Sequence, residues 1–251
     1  AYTQPAMVAS CMAMTQELTS RGVKPDVTAG LSLGEYAAIA TAGGMNSLDA
    51  VRLVRDRGVF MSEAVPQGEG TMAAVLGLTG QQVEELVAPL ADVYVANYNC
   101  PGQVVITGKT EAVRQAGELI KEHGAKRVVE LVVSGPFHSP LLEGAGCRLK
   151  EKLQQVQFQP LSIPYVTNVT AEYVTDVSET AELLERQVSS SVRWEQSILA
   201  MRENGVDKFV EIGPGKTLCG FLRKICPEAE AYHVETYEDV DKLVASLTEG
   251  R

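Results

Sequence analysis

The chain has 251 residues, 45% of them hydrophobic and 22% charged, which suits a globular protein of one large domain or two modest ones. A formal net charge of −10 excludes nucleic acid as a main partner, since phosphate binding needs a basic face, but leaves open small anionic substrates, which need only a local cation. No run approaches the ~18–20 apolar residues of a membrane span, and no basic-then-apolar leader is visible, so membrane and secretory classes are set aside.

Thr3 to Arg21 reads as a helix, with Pro5 suited to its first turn and Gly22 as its stop. Pro25 to Ala29, with Val27-Thr28-Ala29 as a short strand, leads into Gly30-Leu31-Ser32-Leu33-Gly34, and the helix formers Glu35 to Ala40 follow. Asp49 to Ala64 carries a second helical pattern, closed by the break Pro66-Gln67-Gly68-Glu69-Gly70. The next stretch has its own logic: strand Met72 to Leu78, helix Gly80 to Leu90, strand Val93 to Tyr98, a turn, strand Gln103 to Thr107, amphipathic helix Thr110 to Gly124 with Thr110 as N-cap, and strand Lys126 to Val133. That β-α-β-β-α-β order is ferredoxin-like, and it reads as an insertion over residues 70–134. Beyond it come the turn-rich Ser134 to Pro140, helix Leu141 to Val156, strand Ile163 to Asn168, helices Thr180 to Gln187 and Trp194 to Asn204, strand Lys208 to Ile212, helix Thr217 to Lys224 and strand Ala231 to Val234. Strands alternating with helices on both sides of the insertion predict a parallel sheet covered by helices, in a core of residues 1–69 and 135–251. Cys11, Cys100, Cys147, Cys219 and Cys226 are scattered, odd in number and form no C-x-x-C pair, so neither a disulfide framework nor a zinc site is expected, and a cytoplasmic setting is.

The G-x-S-x-G pattern between a strand and a helix has the form of a nucleophile elbow. Ser32 would sit on a tight turn with its hydroxyl exposed, the two glycines letting the neighbouring backbone pass closely, and the following helix would point its N-terminus at the site. A serine hydroxyl needs a base, and the chain has three histidines. His123 ends a helix, where it meets C-terminal carbonyls, and His233 lies in a strand without a nearby motif. His138 lies in the Gly/Pro-bounded loop that returns from the insertion, a place that borders clefts, and is the candidate base. No Asp or Glu stands in a motif that would hold its second nitrogen, which leaves an amide or a main-chain carbonyl. Arg57, on its own residues, reads as a surface arginine.

The segments Tyr2 to Ala6, Gly30 to Tyr36 (GLSLGEY), Arg57-Gly58 with Phe60-Met61, Met72 to Ala74, Asn97 to Ile106, Gly135 to Ser139 (GPFHS) and Glu211 to Leu218 (EIGPGKTL) together resemble the malonyl-CoA:acyl-carrier-protein transacylases of bacterial fatty-acid synthesis. The resemblance implies an α/β-hydrolase-like parallel-sheet domain with an inserted ferredoxin-like subdomain, no cofactor, malonyl-CoA and holo acyl carrier protein as partners, and a monomer. It implies Ser32 as the acylated nucleophile, His138 as its base, Gln187 as the residue holding the second nitrogen of His138, and the N–H of Leu33 as an oxyanion donor. Arg57 matches the arginine that takes the free carboxylate of malonate, replacing the surface reading, and Phe137 matches the malonyl-selecting form of its loop. Two departures stand out. Leu31 occupies a position where many members have histidine, and the family's first strand with its Phe-Pro-Gly-Gln-Gly motif, source of the other oxyanion donor, precedes the point where this sequence opens. A piece of a longer polypeptide is therefore expected. The alternatives carried forward are an acyltransferase module of a polyketide synthase, a hydrolase using the same serine, and a non-catalytic carrier-binding remnant.

Overall fold

The computed structural model describes residues 2–249. Helix α1 (Thr3–Ser20) leads to strand β1 (Thr28–Ala29), helix α2 (Gly34–Thr41) and helix α3 (Ser47–Glu63). The inserted unit follows as β2 (Gly70–Leu76), α4 (Gly80–Val87), β3 (Val93–Cys100), β4 (Gln103–Lys109), α5 (Thr110–Glu122) and β5 (Arg127–Glu130). A 3₁₀ turn at Pro140–Leu142 opens the return, followed by α6 (Glu143–Leu153), β6 (Tyr165–Val166), β7 (Tyr173–Val174), α7 (Thr180–Gln187), α8 (Trp194–Glu203), β8 (Lys208–Ile212), α9 (Thr217–Ile225), β9 (Glu230–Val234) and α10 (Tyr237–Glu249).

The fold is a parallel-strand α/β domain with a ferredoxin-like insertion. In the large domain β1 pairs in parallel with β6, β7 pairs antiparallel with β6, and β8 pairs in parallel with β9, so the parallel strands lie in two short sheets. Helices α1, α2, α3, α6 and α7 bury their apolar faces together through Val8, Tyr36, Ile39, Leu53, Leu149 and Leu184, while Val166, Trp194, Ile198 and Leu222 form a second cluster under α8 and α9. Among the described residues no helix is long and apolar enough to cross a membrane.

The inserted sheet has the order β3-β4-β2-β5 with every pairing antiparallel. One face takes Val83 and Val87 of α4 and Val113, Ala116 and Ile120 of α5, the apolar stripes that 3.6-residue periodicity supplies. The other face, through Met72, Ala96 and Val105, packs against Leu131 and Phe137, and so supports the loop that returns to the large domain. That approach is close: a Cβ on Gly70 would lie 2.4 Å from Pro136 Cδ.

Three local expectations are corrected. Thr110 does not cap α5; Lys109 holds the N-cap position, and the Thr110 hydroxyl donates to the carbonyl of Gly68 at 2.7 Å, tying the helix start to the break before β2. The strand expected over 163–168 is ladder-paired only at Tyr165–Val166, because the backbone beyond it turns to serve the site. Helix α10 lies in a stretch left without an element in the sequence reading, although Val240, Leu243, Val244 and Leu247 trace a helical stripe that packs on Leu18 and Val234.

Candidate active site

Strands β1 and β6 run in parallel and in register, Ala29 opposite Val166, so the chain beyond each carboxyl end arrives at the same place. Beyond β1 the backbone turns sharply at Ser32, whose φ of 53° is a left-handed value that a non-glycine residue adopts only when its surroundings hold it there. Beyond β6, the fully buried Asn168 supplies that hold. Its Oδ1 accepts the Ser32 N–H at 2.6 Å and its Nδ2 donates to the Gly30 carbonyl at 2.8 Å, clamping both ends of the turn. The turn is tight at one glycine only. A Cβ on Gly30 would come within 2.0 Å of the Gly34 backbone, whereas a Cβ on Gly34 would meet nothing within 4 Å. The expectation that both glycines serve close approach therefore holds for Gly30 and not for Gly34.

Ser32 Oγ lies 2.8 Å from His138 Nε2. His138, at φ 58°, is 5% exposed and follows Phe137, which packs between the inserted sheet and the large-domain core. Its Nδ1 lies 3.0 Å from the main-chain carbonyl of Gln187. That oxygen can only accept, so Nδ1 carries the proton and Nε2 is left as the acceptor for the serine hydroxyl. Gln187 is the last residue of α7, and helix-terminal carbonyls lack intrahelical partners. Gln187 is thus adjacent to His138 as the resemblance implies, but its main-chain oxygen makes the contact rather than its side-chain amide. The pair sits between the N-terminus of α2, on the serine side, and the C-terminus of α7, on the histidine side. These ends favour negative charge growing near Ser32 and positive charge growing on the imidazole. Burial, with the Arg57 cation as the second cause, lowers the His138 pKa from 6.5 to about 4, so the ring is neutral and able to take a proton.

Arg57 is not a surface residue. It falls on the buried stripe of α3 with Ala50, Leu53, Val54 and Met61, and is 1% exposed. Its Nη2 donates to Ser32 Oγ at 2.8 Å and to Gln187 Oε1 at 3.0 Å, and its Nη1 donates to Gln4 Oε1 at 2.8 Å. The guanidinium also lies over the Tyr36 ring, 5.8 Å from its centroid. Desolvation pulls its pKa below the usual arginine value, and the Tyr36 hydroxyl and Glu35 oppose that shift. Among the described residues no carboxylate forms an ion pair with it; Glu35 reaches it only through the Gln187 amide, whose Nε2 donates to Glu35 Oε2 at 2.5 Å and to the Ser32 carbonyl at 2.9 Å. The N–H of Leu33, at the N-cap of α2, is taken by no hydrogen bond among the described residues.

The fold therefore brings Ser32, Leu33, Arg57, Phe137, His138 and Gln187, all candidates from the sequence, to one place, and adds Gln4, Glu35 and Asn168, which were not. Glu35 carried a signal: an acid in the first turn of an otherwise apolar helix, directly after the elbow. Asn168 carried none, because its role depends on the pairing of β1 with β6.

A serine on a strained elbow, a neutral imidazole at its hydroxyl and a buried guanidinium beside the serine are groups suited to acyl transfer, held on an α/β scaffold. Residues 1–241 match the acyl transferase domain family, and the chain belongs to it. Within that family it is similar to the malonyl CoA-acyl carrier protein transacylase of Bacillus subtilis (strain 168), with 42% identity over 250 residues, 98% of this chain and 79% of that protein. The crystal structure of the malonyl CoA-acyl carrier protein transacylase from Clostridium perfringens superposes with a TM-score of 0.95 at 42% identity, over 98% of this chain and 79% of that one. A malonyl-transacylase solved in complex with its type II PKS acyl-carrier protein gives a TM-score of 0.94 at 35% identity, over 97% of this chain and 80% of that one.

Proposed function

We propose that this chain moves a malonyl group from malonyl-CoA to the phosphopantetheine thiol of an acyl carrier protein, in fatty-acid biosynthesis, through a malonyl ester on Ser32. The observation that carries the reading is the buried Arg57, 2.8 Å from Ser32 Oγ and, among the described residues, without a carboxylate bonded to it directly. A buried guanidinium so placed suits an acyl group that ends in a free carboxylate, since arginine binds carboxylates through paired, charge-assisted hydrogen bonds. Nη1 spends one of its two protons on Gln4 and has one left for a carboxylate oxygen.

In the first half-reaction Ser32 Oγ attacks the thioester carbonyl as its proton passes to His138 Nε2. The oxyanion forms beside the Leu33 N–H and the N-terminus of α2. The C–S bond then breaks, and His138 returns the proton to the departing CoA thiolate. In the second half-reaction His138 takes the proton of the carrier thiol. The thiolate attacks the malonyl ester, the C–O bond breaks and the proton returns to Ser32 Oγ. Through both steps the Gln187 carbonyl holds the imidazole in the tautomer with Nδ1 protonated and stabilises the imidazolium. Phe137 narrows the acyl site, leaving little room for a branch on the malonyl group. The small subdomain is taken as residues 70–134. Docking of an acidic carrier is assigned to its exposed cations Lys121, Lys126 and Arg127, of which Lys121 is paired with Glu118.

The test is transfer itself. The chain is loaded from radiolabelled malonyl-CoA, freed of CoA and mixed with holo carrier protein. Label moving to the carrier faster than it is released to water supports the reading. Release to water at the same rate with and without carrier identifies a hydrolase instead.

A further inference from the structure

The structure assigns to Glu35 the task of positioning the Gln187 amide, and through it Arg57, so that a residue which never meets the acyl group sets the preference for a carboxylate-bearing one; the assignment rests on the reading of Arg57 given above. Glu35 is fully buried in the first turn of α2, behind the nucleophile. Its Oε2 accepts from Gln187 Nε2 at 2.5 Å and from the Asn168 N–H at 3.3 Å.

The amide of Gln187 can lie in either of two orientations, and Glu35 decides between them. As found, its oxygen faces Arg57 Nη2 and its nitrogen faces the carboxylate and the Ser32 carbonyl. Rotated by half a turn, it would set N–H against the guanidinium and oxygen against two acceptors, three repulsive contacts among buried groups. The interposed amide has a second consequence. A carboxylate bonded directly to Arg57 would occupy the donors that a substrate carboxylate needs. Relayed through Gln187, Glu35 faces the cation without consuming more than one Nη2 proton. Besides Gln187, the groups that act on Glu35 are Arg57 from α3, Tyr36 from its own helix, Tyr165 from β6, and Thr167 and Asn168 beyond that strand. Arg57 is the one cation among them.

The experiment compares single-turnover acylation of Ser32 by malonyl-CoA and by acetyl-CoA, read by intact mass, in the natural chain and in Glu35→Gln, Glu35→Met and Glu35→Asp. Gln keeps an oxygen where Gln187 needs one. Met keeps the length and removes the acceptor. Asp keeps the carboxyl group and withdraws it by one methylene. The malonyl-to-acetyl rate ratio is expected to fall at least tenfold in the Met and Asp variants and to stay within about threefold in the Gln variant. A defect in folding alone would lower both rates together and leave the ratio in place. Ratios in Met and Asp equal to the natural one overturn the assignment, as does a Gln variant as indiscriminate as Met. Should Met not fold, Asp alone decides. If the natural chain itself shows no malonyl preference, it is the reading of Arg57 that fails, and the two failures are distinct.

Discussion

Arg57 Nη2 and Ser32 Oγ lie 2.8 Å apart, so the cation proposed to select the acyl group also touches the nucleophile. On the proposed function, substrate choice and nucleophile placement share one side chain. Replacing Arg57 with alanine is expected to cost about 3 kcal/mol for a buried malonyl carboxylate, roughly a hundredfold in kcat/KM, with a much smaller loss for acetyl-CoA. Competition between the two acyl-CoAs measures this. An unchanged malonyl-to-acetyl ratio would remove Arg57 from the account.

The two glycines of the elbow are not equivalent. Gly30→Ala would drive a methyl into the Gly34 backbone at 2.0 Å and is expected to abolish folding or acylation. Gly34→Ala has open space and a helical position at the start of α2, so it is expected to fold and to be stabilised by a few tenths of a kcal/mol up to about 1 kcal/mol. Thermal melting of both variants, with acylation of each, checks the asymmetry.

The titration of His138 should differ between the two half-reactions. Its pKa is held at about 4 first by burial and then by Arg57. A malonyl carboxylate on Arg57 offsets the second cause and raises that pKa. The base works when neutral, so activity is lost as pH falls through its pKa. The acid limb for carrier transfer from the malonyl ester is expected at higher pH than that of the second-order rate constant for acylation by malonyl-CoA, which reports the free enzyme with no carboxylate on Arg57. Coincident limbs in pre-steady-state profiles would deny Arg57 its influence on the base.

Two buried groups pull stability in opposite directions with pH. Glu35 is raised from 4.5 to about 7 by burial, so across that window the folded protein keeps a proton that the unfolded chain has released, and stability falls as pH rises. His138 is lowered from 6.5 to about 4, so across its window the unfolded chain binds a proton that the folded one refuses, and stability rises with pH. Where the windows overlap, between pH 4.5 and 6.5, the slopes of about 1.4 kcal/mol per pH unit cancel. Glu35→Gln removes the first and should expose the second, making urea midpoints climb from pH 4.5 to 6.5. A flat profile in that variant would place the His138 pKa elsewhere.

Lys121 is engaged by Glu118 at 2.8 Å, whereas Lys126 and Arg127 form no ion pair among the described residues. Reversing the charge of Lys126 and Arg127 is expected to slow carrier transfer about tenfold at low salt while leaving acylation by malonyl-CoA in place. The Lys121 reversal should do less. Equal slowing of both half-reactions would remove this surface from carrier docking.

What the sequence disclosed and withheld follows from how far each arrangement reaches along the chain. The elbow was legible because strand, turn and helix are consecutive residues. The inserted unit was legible because its helices and strands keep clean periods of 3.6 and 2. Arg57 misled at first, although its place in the Ala50, Leu53, Val54, Met61 stripe marks it as inward-facing. Gln187 was legible as a residue but not as an atom, since which of its groups meets His138 depends on where α7 ends. Asn168 and Gln4 were hidden because they reach Ser32 and Arg57 from 136 and 53 residues away, through pairings that no local pattern records.

Transfer by this route requires a malonyl ester on Ser32. The most direct measurement is the intact mass of this chain after brief exposure to malonyl-CoA, with Ser32→Ala as the control. One malonyl adduct is expected, mapped by peptide analysis to Ser32 and lost in the variant. An adduct on another residue, or a chain that transfers malonate to the carrier with no adduct at any time, would contradict it.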